Sequence, residues 1–134
     1  MSKATVAVLM GGPDAERSVS ITSGTAIADA LETTGKFEIQ RICINRITQE
    51  EINAIDADVF FPALHGPFGE DGQIQKILEK NNFSYTHSGS EASKIAFDKS
   101  LTKSKITNSK IACPNSIVFN KNQIEFDKLI EIYH

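Results

Sequence analysis

A few side chains stand where a small charged ligand could be handled. Glu16 follows the turn Gly11-Gly12-Pro13-Asp14-Ala15, whose adjacent glycines permit close backbone approach just ahead of a helix start with free N–H groups. A carboxylate there has a structural reading, complementing the helix dipole by about 0.3–1 kcal/mol. It also has a functional one, holding an ammonium group in a crevice. His65 lies in Leu64-His65-Gly66-Pro67-Phe68-Gly69-Glu70-Asp71-Gly72. An isolated histidine is often only a hydrogen-bonded structural residue. Here Glu70-Asp71 sits among glycines, so a carboxylate can fold back and orient the imidazole. Lys94, Lys99, Lys103, Lys105 and Lys110 form a cationic stretch, which reads either as a solvated face or as a contact for an anionic ligand. The glycine turn is not GxGxxG and lacks the Lys-Ser/Thr of a phosphate loop. Cys43 and Cys113 have no CxxC or neighbouring histidine cluster, so they read as ordinary thiols and no metal site is assigned.

The elements that must position these groups follow from periodicity. Thr5–Met10 is a nearly continuous apolar run, the pattern of a parallel strand covered on both faces. Glu16–Thr34 carries Val19, Ala26, Ile27, Ala30 and Leu31 at helical spacing, closed by Gly35. Phe37–Ile44 is a β-branched second strand. Thr48–Ile55 is a short helix with Thr48 and Glu51 as a capping box. Asp58–Phe61 is a third strand that stops or bends at Pro62. Asp71 caps the next helix, with Ile74, Ile77 and Leu78 inward, and Phe83–Thr86 is a fourth strand.

Strand and helix alternating at this spacing predict a doubly wound parallel sheet with helices on both faces, about four strands over residues 1–90. The loop holding His65 then falls at the carboxyl end of the sheet, where open α/β folds bind ligands. Beyond Ser88-Gly89-Ser90 the pattern changes to two short helices, Glu91–Phe97 and Lys99–Thr107, broken near Asp98. A strand at Ser116–Phe119 and a helix at Gln123–Tyr133 read as the opening of a second domain. Charge marks the same boundary: residues 1–92 carry 7 basic and 13 acidic side chains, residues 93–134 carry 7 and 4.

Composition bounds the function classes. At 134 residues, with 40% hydrophobic and 23% charged side chains, the chain has the balance of a globular protein with room for one ordinary core. No apolar stretch approaches the ~20 residues of a membrane span, and the start is unlike a signal peptide. A cytoplasmic protein is expected. The net charge of −3 argues against a general nucleic-acid binder.

Three blocks taken together are far more specific. VLMGGPDAERSVSITSG (Val8–Gly24), FPALHGPFGEDGQIQKILE (Phe61–Glu79) and YTHSGSEASKIAFDKSLTK (Tyr85–Lys103) closely resemble, in order and separation, the N-terminal part of D-alanine-D-alanine ligases, ATP-grasp enzymes of peptidoglycan synthesis. Departures are Ser18 for a usual Glu, His87 for a usual Gly, and Asn108-Ser109-Lys110 where a Gly is expected before Ile111. The resemblance implies a Rossmann-like (pre-ATP-grasp) domain over residues 1–92, then linker helices and a truncated start of the ATP-grasp domain over 93–134. It implies ATP-dependent joining of two D-alanines through an acyl phosphate, with Mg²⁺ ligands in the part of the family beyond this chain, and a homodimer formed through this domain.

On the matching positions, Glu16 would hold the ammonium of the first D-alanine and Val19 would face its methyl group. His65 would sit near its carboxylate, with Glu70 orienting it, and Lys99 would reach an ATP phosphate. Glu16 and His65 are thus the catalytic candidates. Family members run to more than twice this length, so the chain alone is expected to be inactive. The alternative is a stand-alone, non-catalytic Rossmann-like module for dimerisation or small-ligand binding.

Overall fold

The apolar run at the N-terminus is the central strand. In the computed structural model, which describes residues 2–118, β1 (Ala4–Gly11) pairs in parallel with β2 (Phe37–Ile44) on one side and β3 (Val59–Pro62) on the other, giving the order β2-β1-β3. Register aligns Val8 with Arg41 and with Phe61. Alternate β1 side chains feed two cores, as period-2 geometry requires. Val6, Val8 and Met10 join Ala28 and Ala63 on one face, while Ala7 and Leu9 join Ile52, Phe60, Ile74 and Leu78 on the other. Helices therefore cover both faces, and the α/β class read from the sequence is the one observed.

The first face is covered by α1 (Arg17–Thr33). Its inward stripe is the predicted one only in part: Ile27 and Leu31 pack against this core, whereas Ala26 and Ala30 are exposed. Ser20, Gly24 and Ala28 are buried, whereas Val19 is 56% exposed. Close packing decides this, because a Cβ on Gly24 would lie 2.7 Å from Met10 Cβ and only small residues allow so near an approach. Gly35, with φ +65°, closes the helix as expected.

The second face is covered by α2 (Gln49–Asn53) and α3 (Gln73–Lys80). The Thr48 and Glu51 capping box forms in full. At α3 the N-cap position belongs to Gly72, with φ +91°. Asp71, the predicted cap, instead accepts from the Gln73 N–H at 3.1 Å and Gln73 Nε2 at 2.6 Å from one residue further out. Partial burial works to raise the Asp71 pKa, but hydrogen bonds from Gln73 together with the backbone of Phe68 and Asp71 outweigh it and hold the carboxyl below its ordinary value.

The fourth predicted strand shrinks to one bridge. Phe60 N–H donates to Ser84 O and Thr86 N–H donates to Phe60 O, a single parallel step at Tyr85. Asn82 and His87, both at positive φ, turn the backbone out of the extended conformation on either side of it. Then α4 (Ser90–Phe97) and α5 (Lys99–Ile106) follow, separated at Asp98, whose ψ of 112° is extended.

Two compact units divide the chain, one running to Lys99 and one beginning at Ser100. In the second, Lys103 Nζ donates to Pro114 O at 2.8 Å. Residues 116–118 of the predicted strand are not in a strand, since no partner strand lies beside them among the described residues. Phe119 and the predicted helix Gln123–Tyr133 lie outside the described residues.

Candidate functional site

The strand order reverses at β1, between β2 and β3, and open α/β sheets bind ligands at that switch point beyond the carboxyl ends of the strands. Three connections meet there: the β1–α1 turn, the β2–α2 turn and the loop after β3.

Arg17, in the first turn of α1, ties two of them. Its guanidinium donates to Gly12 O at 2.9 Å, Ile44 O at 2.6 Å and Asn45 Oδ1 at 2.7 Å. The preceding residue, Glu16, occupies the N-cap position with helix-like φ −82° and ψ 6°, and its side chain caps nothing. It turns instead toward the β3 loop. A Cβ built on Gly66 would lie 3.7 Å from Glu16 Cδ and 3.9 Å from each carboxylate oxygen. The carboxylate is therefore poised over the residue next to His65.

His65 is hydrogen-bonded on one side and flanked by a carboxylate on the other. Its Nε2 lies 2.9 Å from Ser23 Oγ, and its Nδ1 lies 3.7 Å from Glu70 Oε1. Glu70 is itself fixed, because its Oε2 accepts the Gly66 N–H at 2.9 Å and its own N–H donates to Gly66 O at 3.0 Å. The order hydroxyl, imidazole, carboxylate is that of a hydrolase triad, but the Ser23 hydroxyl is shared with the helix carbonyls of Val19 and Ser20 at 3.0 and 3.2 Å. The arrangement orients an imidazole. It does not present a nucleophile.

Beside this cluster opens a cleft of about 520 Å³ whose wall includes Ser23, His65, Glu70, Phe61, His87 and Phe97. Glu16, Val19 and Lys99 do not line it. The structure thus brings Glu16, His65 and Glu70 around Gly66, places Val19 exposed one turn along from Glu16, and leaves Lys99 exposed at the start of α5. We place the candidate site at Gly66, at the edge of the cleft, because a carboxylate and an imidazole come together there.

Four contributors escaped the sequence reading. Ser20 and Ser23 share a helix face with Glu16, four and seven residues on. That spacing was a usable signal, masked by reading the helix for apolar residues only. Arg17 reveals itself only through strand ends brought together from distant sequence. Gln75, buried on α3, donates Nε2 to Gly69 O at 2.8 Å and braces the loop.

The class that emerges is a doubly wound α/β domain with a carboxylate and a braced imidazole at its switch point. The family model for the N-terminus of D-ala D-ala ligase matches residues 44–88. The D-alanine–D-alanine ligase of Chelativorans sp. is 45% identical over 92% of this chain and 40% of its own length, and that of Rhizobium meliloti is 52% identical over 77% and 33%. A crystal structure of the Bacillus anthracis D-alanine–D-alanine ligase complexed with ATP superposes with a TM-score of 0.80 at 32% identity, over 96% of this chain and 44% of that one. By sequence and fold together, the chain is related to D-alanine–D-alanine ligases and matches their N-terminal portion. It spans about two fifths of the length of the curated relatives it matches.

Proposed function

We propose that this chain supplies the first D-alanine subsite of a D-alanine–D-alanine ligase, an enzyme of peptidoglycan synthesis. The observation that carries the reading is the Glu16 carboxylate set over Gly66, beside an imidazole braced by Ser23 and Glu70. An amino acid presents an ammonium and a carboxylate on one carbon, so a binding site needs an acid and a donor a few ångströms apart. Glu16 would take the ammonium, and the helix start beside it would tolerate the paired charge. Val19 would face the methyl group. His65, with Nε2 engaged by Ser23, would lie near the carboxylate, with Glu70 beside its Nδ1 setting the orientation of the ring. A ring N–H donor so placed stabilises negative charge as it grows on the reacting carboxylate.

ATP, when bound, supplies the phosphoryl group that activates the first D-alanine as an acyl phosphate for attack by the second. Lys99, exposed at the start of α5, is our candidate phosphate contact. No group of three His, Cys, Asp or Glu side chains gathers for a metal among the described residues. The relatives extend well beyond the matched portion, and in this reading nucleotide and Mg²⁺ belong to the part of the ligase that residues 93–134 begin; no step through either is assigned to this chain. No helix among the described residues is long and apolar enough to cross a membrane. We place the ligase in the cytoplasm as a homodimer formed through this domain, without nucleic-acid partners.

Glu16→Gln in the complete ligase tests the assignment. Leaving a desolvated ammonium without its counter-charge costs on the order of 2–5 kcal/mol, expected as a raised KM for the first D-alanine. A helix-dipole role would cost about 1 kcal/mol of stability at most and leave KM alone. An unchanged KM with a slightly lower melting temperature would reduce Glu16 to a structural residue. The 134-residue chain by itself is expected to show no D-alanine-dependent ATP hydrolysis.

A further inference from the structure

The β1–β3 ladder does not end as a parallel ladder should. Ala63 N–H donates to Leu9 O at 2.8 Å, and regular parallel pairing would next run from Gly11 N–H to Ala63 O. That bond is replaced by a side chain. Gly11 N–H donates to Ser20 Oγ at 2.8 Å, and Ser20 Oγ donates to Ala63 O at 2.7 Å. The hydroxyl is inserted between the two strands as a relay, with its proton and a lone pair both used. Ser20 is fully buried, so neither backbone group has ready access to solvent in its place.

The location matters more than the bonds. The insertion falls at the switch point where β1 and β3 must part to open a crevice. Ser20 lies one helical turn after Glu16, whose carbonyl accepts the Ser20 N–H at 2.9 Å. Ala63 lies two residues before His65. Ser23, on the next turn, touches His65. Ser20 is thus the one side chain bonded to both strand ends from which the two halves of the proposed subsite depart.

We propose that Ser20 is a positioning residue: its hydroxyl, wedged into the β1–β3 ladder, sets the opening between the strand ends and with it the separation of Glu16 from His65. The proposal rests on the first-subsite reading above for its functional consequence, and on the ladder geometry alone for the wedge. Without the hydroxyl, Gly11 N–H and Ala63 O must either close on each other, narrowing the crevice, or remain buried and unpaired. Closure moves Glu16 relative to His65 directly, and two buried unpaired groups leave the separation of the strand ends, and so of Glu16 from His65, unfixed. Displacements of this order cost up to about a hundredfold in productive binding.

The test compares Ser20→Ala, Glu16→Gln and Ile52→Ala in the complete ligase, with amide exchange at Gly11 followed in parallel. Ile52 is fully buried in the opposite core and serves as a control for loss of stability alone. Ser20→Ala is expected to raise KM for the first D-alanine about tenfold or more, while KM for ATP stays within about twofold. Ile52→Ala, with a comparable fall in melting temperature, is expected to leave both constants unchanged. If Ser20→Ala and Ile52→Ala raise KM alike, the effect is general loosening and the proposal is overturned. It is overturned too if Glu16→Gln raises KM and Ser20→Ala does not. If Glu16→Gln leaves KM unchanged, the subsite reading fails, and Gly11 exchange decides the wedge: a change of about tenfold in Ser20→Ala supports it, and no change ends it. Should Ser20→Ala not fold, Ser20→Thr and Ser20→Cys replace it. Threonine keeps the donor and acceptor and is expected to hold KM within about threefold, whereas the weakly bonding thiol raises it. Equal KM values for the two would overturn the proposal.

Discussion

The sheet and the segment that follows it use their apolar residues in opposite ways. Among the described residues, the buried hydrophobic ones all fall between Val6 and Leu78, and α4 and α5 contain no fully buried residue. Phe97 is 44% exposed, and Ile111, Ile117 and Val118 are exposed as well. Polar groups follow the same division. Ser20 and Gln75 are buried with named backbone partners, while the hydroxyls of Ser104, Thr107 and Ser109 turn back to carbonyls of their own segment. The first region specifies its own geometry. The second has helical propensity and local hydrogen bonding with no fully buried residue among those described, consistent with our proposal that it opens a further domain.

A pair of truncations would break that contrast most decisively. Phe60 is fully buried at the centre of the second-face core, 4.9 Å from the Phe83 ring. Phe60→Ala should destabilise by about 3–5 kcal/mol, a large share of the roughly 5–15 kcal/mol that holds a domain folded. Ile111→Ala, at a side chain 63% exposed, should stay within about 0.5 kcal/mol. Urea denaturation of both variants measures the difference. Comparable losses at the two sites would mean that the segment after Lys99 carries a core of its own.

The junction between the two regions carries a smaller, separable effect. His87 sits at φ +81°, a left-handed conformation costing a side-chain-bearing residue about 1–2 kcal/mol. Its ring is held edge-on to Phe61 at 5.0 Å, and Thr86 Oγ1 lies 3.0 Å from its Nδ1. His87→Ala loses the ring and keeps the strain, while His87→Gly loses the ring and relieves it. The glycine variant should therefore be the more stable of the two by about 1 kcal/mol. Equal melting temperatures would show that the turn relaxes without cost.

Legibility in the sequence followed the range of the interactions. Local signals were readable: the Thr48–Glu51 capping box, the break at Asp98 and the apolar run of β1 each act within a few residues. The α/β class followed because alternation of strand and helix is also a near-neighbour pattern. The fourth strand failed because a β-propensity run such as Phe83–Thr86 becomes a strand only if its neighbour continues beside it, and Pro62 ends β3 early. Val19 was misplaced for a related reason: hydrophobicity predicts burial, but the approach of α1 to Met10 selects by size. At the candidate site, Glu16, His65 and Glu70 could be named from motif context. Arg17 could not, because the groups it binds at the end of β2 lie 26–28 residues away, and Ser20 and Ser23 offered only their spacing from Glu16, since Ala63 and His65 lie 43 and 42 residues from them.

The smallest effect lies where α3 meets the start of α4. Glu79 accepts from Tyr85 Oη at 2.6 Å, from Ser90 N–H at 2.8 Å and from Ser90 Oγ at 2.5 Å. The Ser90 hydroxyl, then Tyr85, then the Ser90 N–H lower its pKa from an ordinary 4.5 to about 2. The same contact acts on Tyr85, where burial and then the Glu79 carboxylate push the phenol up to about 12. A carboxylate depressed on folding stabilises the native state above its unfolded pKa, and that contribution fades as pH falls through the folded value. The window here runs from about 4.5 down to about 2. The group is exposed and solvent screens it, so the gain is modest. Melting temperatures of the parent chain and Glu79→Gln should differ most above pH 5 and converge toward pH 2. A gap that stays constant across that range would mean that the ionised carboxylate adds nothing beyond the hydrogen bonds an amide can make, and that α4 is held to the sheet unit by its packing on α3 alone.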